Sequence, residues 1–400
     1  MKKRIIYISI AVITILILIF SIFKLCNYLR VKYAKIEVIL VDDLTLEFNE
    51  EKKVSDFIVS INGKIIDDYV IDSTSLGSKD ITFEFINEDN IKLKYTYQIE
   101  IIDTVAPLIW LGNSYSVQKG ADIDLVSKIL CGDNYDNNPT CTIEGEYDLN
   151  NVGDYSLIFK AIDNSGNKEE VPFTLKVYEP VENNNTSTVE PSYTYFEDVV
   201  KKYKNENTKI GIDVSSWQGD IDFEKLKNAG VEFIIIRVGG TRGTNGEYFL
   251  DKKFIQNIKG ANKYGIEAGV YFYSYANSLK HAKKDAKWVL KQIKNYDIDL
   301  PIAFDWEEWS SFNDYNLSFF GLTSMAEEFL NVIEEAGYQG MLYSSKTYLD
   351  NIWLPTKYDI WLAHYTEETN YQGNYKFWQI CDNGKVDGID GTVDINIMIK

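Results

Sequence analysis

Residues 209–239, KIGIDVSSWQGDIDFEKLKNAGVEFIIIRVG, decide the fold. An alternating apolar run (209–215) leads into a polar turn, a helical segment at FEKLKNAG and a second, nearly continuous apolar run (233–239). Strand, helix and strand in that order form the unit of a parallel α/β architecture. Downstream the same rhythm gives strands at EAGVYFYSY (267–275), LPIAFDWE (300–307), GMLYSS (340–345), DIWLAHY (359–365), KFWQI (376–380) and VDINIM (393–398), eight in all. Helices are expected at YFLDKKFIQNIKGANKYG, LKHAKKDAKWVLKQIKN and SFFGLTSMAEEFLNVIEEAG, with a short one at KTYLDN, while only loops join the last three strands. The expected fold of 208–400 is therefore an irregular α/β barrel of eight strands, with helices mainly after the first five.

Side chains alternate between the two faces of a strand, so the sequence also says which of them meet. Gly211, Asp213 and Ser215 share one face; Ala303, Asp305 and Glu307 share another; so do Tyr271, Tyr273 and Tyr275, and Trp361, Ala363 and Tyr365. Asp394 pairs with Asn396 in the last strand, although it comes early there, whereas the other polar sets sit near the C-terminal ends of their strands. That end is where α/β barrels build active sites. Asp213, Asp305, Glu307 and Asp394 are thus expected at one mouth among Tyr and Trp. Four adjacent carboxyls cannot all ionise at low cost, so at least one should hold its proton near neutral pH. A protonated carboxyl beside ionised ones suits glycosidic bond cleavage, and aromatic walls suit the apolar faces of sugar rings.

Composition agrees by exclusion. The 400 residues carry 60 acidic and 41 basic side chains, a net charge of −19, which disfavours nucleic acid as a partner. The two histidines, His281 and His364, lie 83 positions apart and have no HExxH-like spacing, so histidine-based zinc catalysis is not expected. Neither a metal nor a cofactor is expected at the site. A Cys–His peptidase built on Cys381 and His364 is disfavoured, because His364 alternates to the face opposite Tyr365 and no oxyanion signature surrounds Cys381.

Upstream, residues 5–24 begin with IIYISIAVITILILIFSIF, an uncharged run that at about 1.5 Å per residue nearly spans the ~30 Å hydrocarbon core. With no small-residue cleavage site after it, the run reads as an uncleaved transmembrane anchor behind a short tail, residues 1–4. Residues 35–102 and 103–178 alternate apolar and polar positions between Asp, Asn and Gly clusters, the pattern of two small all-β modules. A weak repeat relates LGSKDITFEFINEDN to NVGDYSLIFKAIDNSGN. In the second module Cys131 and Cys141 flank GDNYDNNPT; outside the membrane they either close a disulfide loop or remain two nearby thiols. The acids between them either offer oxygen ligands to calcium or form a polar turn, and their spacing fits no EF-hand. Residues 179–207, rich in Asn, Thr, Glu and Pro, read as a linker with a short helix at YFEDVVKKYK.

The ordered series GIDVSSWQGDIDFEKLKNAGVEFIIIRVG, GANKYGIEAGVYFYSYA, LPIAFDWEE, GMLYSS, IWLAHY, FWQI and VDGIDGTVDINI resembles the family 25 glycoside hydrolases, N-acetylmuramidase lysozymes of peptidoglycan, across 208–400. The second β module resembles bacterial immunoglobulin-like modules, and both modules are expected to be of that kind. The family resemblance implies Glu307 as general acid and Asp305 as the group that orients or stabilises the reacting N-acetyl group. It further implies that Asp213 and Asp394 complete an acidic floor, with Tyr271, Tyr273, Trp361, Tyr365 and Gln379 as sugar contacts. The function it implies is cleavage of the β-1,4 bond between N-acetylmuramic acid and N-acetylglucosamine by a membrane-anchored wall hydrolase; the alternative is a peptidoglycan-binding surface protein that does not cut. The expected partners are glycan strands and, through the N-terminal helix, the membrane. Because the substrate lies outside the cell, the expected topology has the N-terminus in the cytoplasm and the catalytic domain outside.

Overall fold

The computed structural model describes residues 2–180, 192–244 and 246–400, with side chains from residue 13 onward. Part of the expected linker, 181–191, lies outside the described residues. The chain forms two compact units, Met1–Thr104 and Val105–Lys400.

The first unit opens with one helix, Lys2–Lys32, uninterrupted by Gly or Pro. Its stretch Ile13–Lys32 is long and apolar enough to cross a membrane, and its side chains face outward. After it comes a small β module centred on the hairpin Gly77–Asn87 and Lys92–Ile102. Thr45–Glu47 and Gly63–Ile65 flank this hairpin, and Val38–Leu40 pairs separately with Ile58–Ile61. Alternation buries Ile81, Phe83 and Phe85 against Phe57 and Ile99, while their neighbours face water.

The second unit begins with another β module, built on the hairpin Gly153–Ile162 and Lys168–Tyr178 with Thr140–Glu144 and Ser114–Gln118 at its edges. The two halves of the sequence repeat are thus equivalent hairpins. Cys131 and Cys141 form a disulfide. Between them Asp133 Oδ2 accepts from the N–H groups of Tyr135 and Asp136, and Asp136 accepts from Asn138 and Asn164.

The remainder is a closed barrel. Its strands are β1 (Thr208–Val214), β2 (Phe233–Thr241), β3 (Glu267–Tyr273), β4 (Ile302–Asp305), β5 (Gly340–Ser345), β6 (Asp359–Ala363), β7 (Phe377–Lys385) and β8 (Val393–Ile399). Helices α1 (Phe223–Asn228), α2 (Phe254–Tyr264), α3 (Leu279–Ile293), α4 (Phe319–Glu335) and α5 (Lys346–Asn351) follow the first five strands. Asp222, Ser278 and Ser318 cap α1, α3 and α4 by accepting from free N–H groups of the first turn. Neighbouring strands from β1 to β7 run parallel, and β8 closes the ring antiparallel to both β1 and β7. Phe233, Ile235, Ala303, Met341, Trp361, Phe377 and Met398 fill the interior, and the opposite strand faces pack on the helices.

Three expectations need correction. The architecture is not wholly parallel, because β8 enters from the opposite direction. Tyr248–Leu250, expected as the start of a helix, is a short strand on the end of β2; its Tyr248 ring stacks on Trp288, a contact that periodicity does not reveal. Residues 194–207 are not linker: Thr194–Tyr195 pairs with β7, and helix Phe196–Tyr203 buries Phe196 and Val199 in the barrel core. Its polar composition hid an apolar stripe at i and i+3.

Candidate active site

The carboxyl groups meet because adjacent strands keep their inward residues level. Asp213 on β1 sits opposite Asp394 on β8; Tyr273 on β3 is level with Asp305 on β4, and Asp305 with Tyr343 on β5. Asp394 comes early in its strand, yet lies at the same mouth because β8 is antiparallel. Glu307 follows two residues after Asp305, beyond the end of β4, and is exposed where Asp305 is buried.

Two hydrogen-bonded carboxyl pairs result. In the first, Asp213 Oδ2 accepts from Gln379 Nε2 at 2.9 Å and Asn396 Nδ2 at 2.8 Å, and Asp394 also bonds to Asp213. Burial raises Asp213 to about 6, although those donors pull it down. Burial, and then the Asp213 charge, push Asp394 up to about 9. At neutral pH Asp394 therefore carries the proton and Asp213 the charge. In the second pair, burial and then the Glu307 charge raise Asp305 well above the carboxylate range. Glu307, although exposed at the mouth, is also raised, because the protein walls around it displace water from its carboxyl, against the pull of its hydrogen bond with Asp305. The pair shares a proton that the more buried Asp305 holds more tightly, and Glu307 is the member open to the mouth. Sequence alternation leaves open which of the four acids is protonated, because it shows faces but not depth.

Of the expected sugar contacts, Tyr365 is 52% exposed and Tyr273 half-buried, its hydroxyl donating to Glu308. Tyr271 lies half-buried against Trp361. Trp361 and Gln379 are themselves buried. The Trp361 indole N–H donates to Asn396 Oδ1 at 2.7 Å, and Gln379 Oε1 accepts from Tyr343 and Tyr365. These two residues support the floor and do not line its open surface. Asn396, Tyr343 and Arg237 were given no role from sequence, though their inward parity on β8, β5 and β2 was a usable signal. Arg237 grips the buried Asp251 through Nε and Nη2, at 2.8 and 2.7 Å, and its charge reaches Asp305 and Tyr271. Trp217, in the turn after β1, is 85% exposed.

Cys381 is buried and its thiol raised by burial, the reverse of an activated nucleophile, and His364 bonds Thr369 through Nδ1.

Residues 212–389 match the model of the family described as Glycosyl hydrolases family 25. The C-terminal domain belongs to glycosyl hydrolase family 25. Among curated relatives that the chain resembles, an autolytic lysozyme of Clostridium acetobutylicum is 28% identical over 189 residues, 46% of this chain and 54% of the relative. The uncharacterized protein YegX of Escherichia coli is 29% identical over 192 residues, 47% of this chain and 68% of that one. The modular autolysin LytC of Streptococcus pneumoniae, solved in complex with a synthetic peptidoglycan ligand, aligns at 26% identity with a TM-score of 0.43, covering 60% of this chain and 56% of that one. The chain thus spans little more than half the length of the autolytic lysozyme and of LytC.

Proposed function

We propose that this chain is a membrane-anchored wall hydrolase that cuts the β-1,4 bond between N-acetylmuramic acid and N-acetylglucosamine in peptidoglycan. The observation that carries the reading is the Asp305–Glu307 pair: two hydrogen-bonded carboxyls, one open to the mouth and one buried behind it. Glu307 protonates the leaving glycosidic oxygen, drawing on the proton held with Asp305. Asp305 and Glu307 stand two residues apart and approach the sugar from the same side, which disfavours a carboxylate nucleophile opposite the acid and favours attack by the substrate's own N-acetyl oxygen. Asp305 Oδ1 is buried and has no hydrogen-bond partner among the described residues, which suits it to receive the acetamido N–H. Tyr273, Tyr365 and Trp217 offer accessible rings to the sugars. The helix Lys2–Lys32 anchors the chain with its N-terminus inside, and the β modules are immunoglobulin-like units that carry the barrel into the wall.

The test is the full chain in detergent on purified peptidoglycan. New reducing ends at muramic acid are expected, falling by about 10² to 10⁴ in Glu307→Gln; glycan binding without cleavage would favour a non-catalytic surface protein instead. NMR of the anomeric proton early in the reaction should show net retention, and inversion would exclude N-acetyl participation.

A further inference from the structure

The proposed function treats the second β module as a carrier, but its contacts with the barrel are specific. The loop closed by the Cys131–Cys141 disulfide reaches the segment that joins Glu307 to α4. There the Asn313 side chain binds both ways, Oδ1 accepting from the Cys131 N–H at 3.0 Å and Nδ2 donating to the Ile129 carbonyl at 2.9 Å. The first N–H groups of α4 are satisfied by the module: Phe319 and Phe320 donate to the carbonyls of Asp133 and Asn134, at 2.8 and 3.2 Å. Ser318 N–H donates to Asn137 Oδ1 at 2.9 Å. A helix start that is met by another domain's backbone is one whose donors need that domain.

Packing follows the same segment back to the acid. Gly132 lies so close to Phe312 and Phe319 that a β-carbon there would come within 2.6 Å of the Phe319 ring. Trp110 of the module packs against Tyr348 of α5 at 5.4 Å, and Tyr348 stacks on Trp309 at 3.8 Å. The Trp309 N–H donates to the Glu307 carbonyl at 2.8 Å, and its ring meets Trp306, next to Glu307. An unbroken path of packed rings and backbone bonds therefore runs from the module to the residue that carries Glu307.

We propose that the second β module is a positioning element of the hydrolase, holding residues 307–320 so that Glu307 meets the scissile bond at its working distance. The proposal rests on the cleavage reading above. Reactions that depend on such alignment lose about 10²-fold for a misplacement near 1 Å, so loosening the segment should reduce kcat and leave KM comparatively unchanged.

The test uses the full chain in detergent with Gly132→Val, which wedges the module against Phe319 without altering the barrel's own residues, and Trp110→Ala as a milder second variant. Amide hydrogen exchange across 307–322 and steady-state kinetics on peptidoglycan are read together. Exchange at Phe319 and Phe320 should speed up about tenfold or more, with kcat down about tenfold or more and KM within about twofold; Trp110→Phe should restore most of what Trp110→Ala loses. Unchanged exchange in both variants, or faster exchange with unchanged kcat, overturns the proposal. A raised KM at constant kcat overturns it too, and would make Trp110 a glycan contact instead. If the wild-type chain cuts nothing, the cleavage reading fails on its own, and loss of exchange protection still decides whether the module clamps the segment.

Discussion

Replacing Asp394 by Asn should flatten the pH dependence of stability in a calculable way. Asp394 is raised from 3.8 to about 9, first by burial and then by the Asp213 charge beside it. Its folded pKa lies above its unfolded one, so the folded state binds the extra proton and stability falls as pH rises between those values. Over pH 6.5 to 8.5 Asp213, at about 6, is largely ionised, and Asp394 is the member of that pair still holding a proton when folded. One proton corresponds to about 1.4 kcal/mol per pH unit, or about 3 kcal/mol across this window. Asn is neutral in both states and can still donate to Asp213, so Asp394→Asn should lose about 3 kcal/mol less than wild type over the same two units. The contributions of Asp305 and Glu307 are common to both proteins and cancel in the difference. Urea unfolding followed by tryptophan fluorescence is a clean readout, because all eight tryptophans fall between Trp110 and Trp378, in the unit that contains the barrel. Parallel stability-against-pH lines for the two proteins would refute the assignment of the proton to Asp394.

Other outcomes follow from the same geometry. Desolvation by the walls of the mouth raises Glu307, and the Glu308 charge adds to it; Glu308→Gln should therefore move the alkaline limb of kcat against pH to lower pH, and an unmoved or raised limb would contradict that coupling. Arg237→Met should cost about 3 kcal/mol or more in urea unfolding, because it strands the fully buried Asp251 carboxylate beside only N–H donors from the backbone. A cost near zero would mean that those donors suffice.

Much of the site was legible because alternation is a local property. A strand that reads GIDVS must put Asp213 on one face, and the alternation of PIAFDWE sets Asp305 inward, with Glu307 two residues on, just past the end of β4. The eight strands and five helices follow from the same periodicities. Asp394 looked misplaced for the opposite reason: its position near the start of its strand makes sense only once β8 is antiparallel to β1, and strand direction is a property of the closed ring. The helix Phe196–Tyr203 has a short apolar stripe among polar residues, the composition of a linker; only the barrel wall that buries Phe196 makes it part of the core.

By itself, the sequence determined an apolar N-terminal helix, two repeated β hairpins, a barrel of eight strands and the four acids that face its mouth. Each of these depends on composition or on spacing along the chain. Only the tertiary structure decided which acids pair, how deeply each of them is buried, that Trp361 and Gln379 lie beneath the floor, and that the disulfide loop of the second module caps α4. Those outcomes depend on burial depth and on contacts between residues far apart in the chain, such as Phe319 and Asp133, 186 positions apart. Depth and long-range contact arise when the ring closes and the module docks, and no periodicity encodes them.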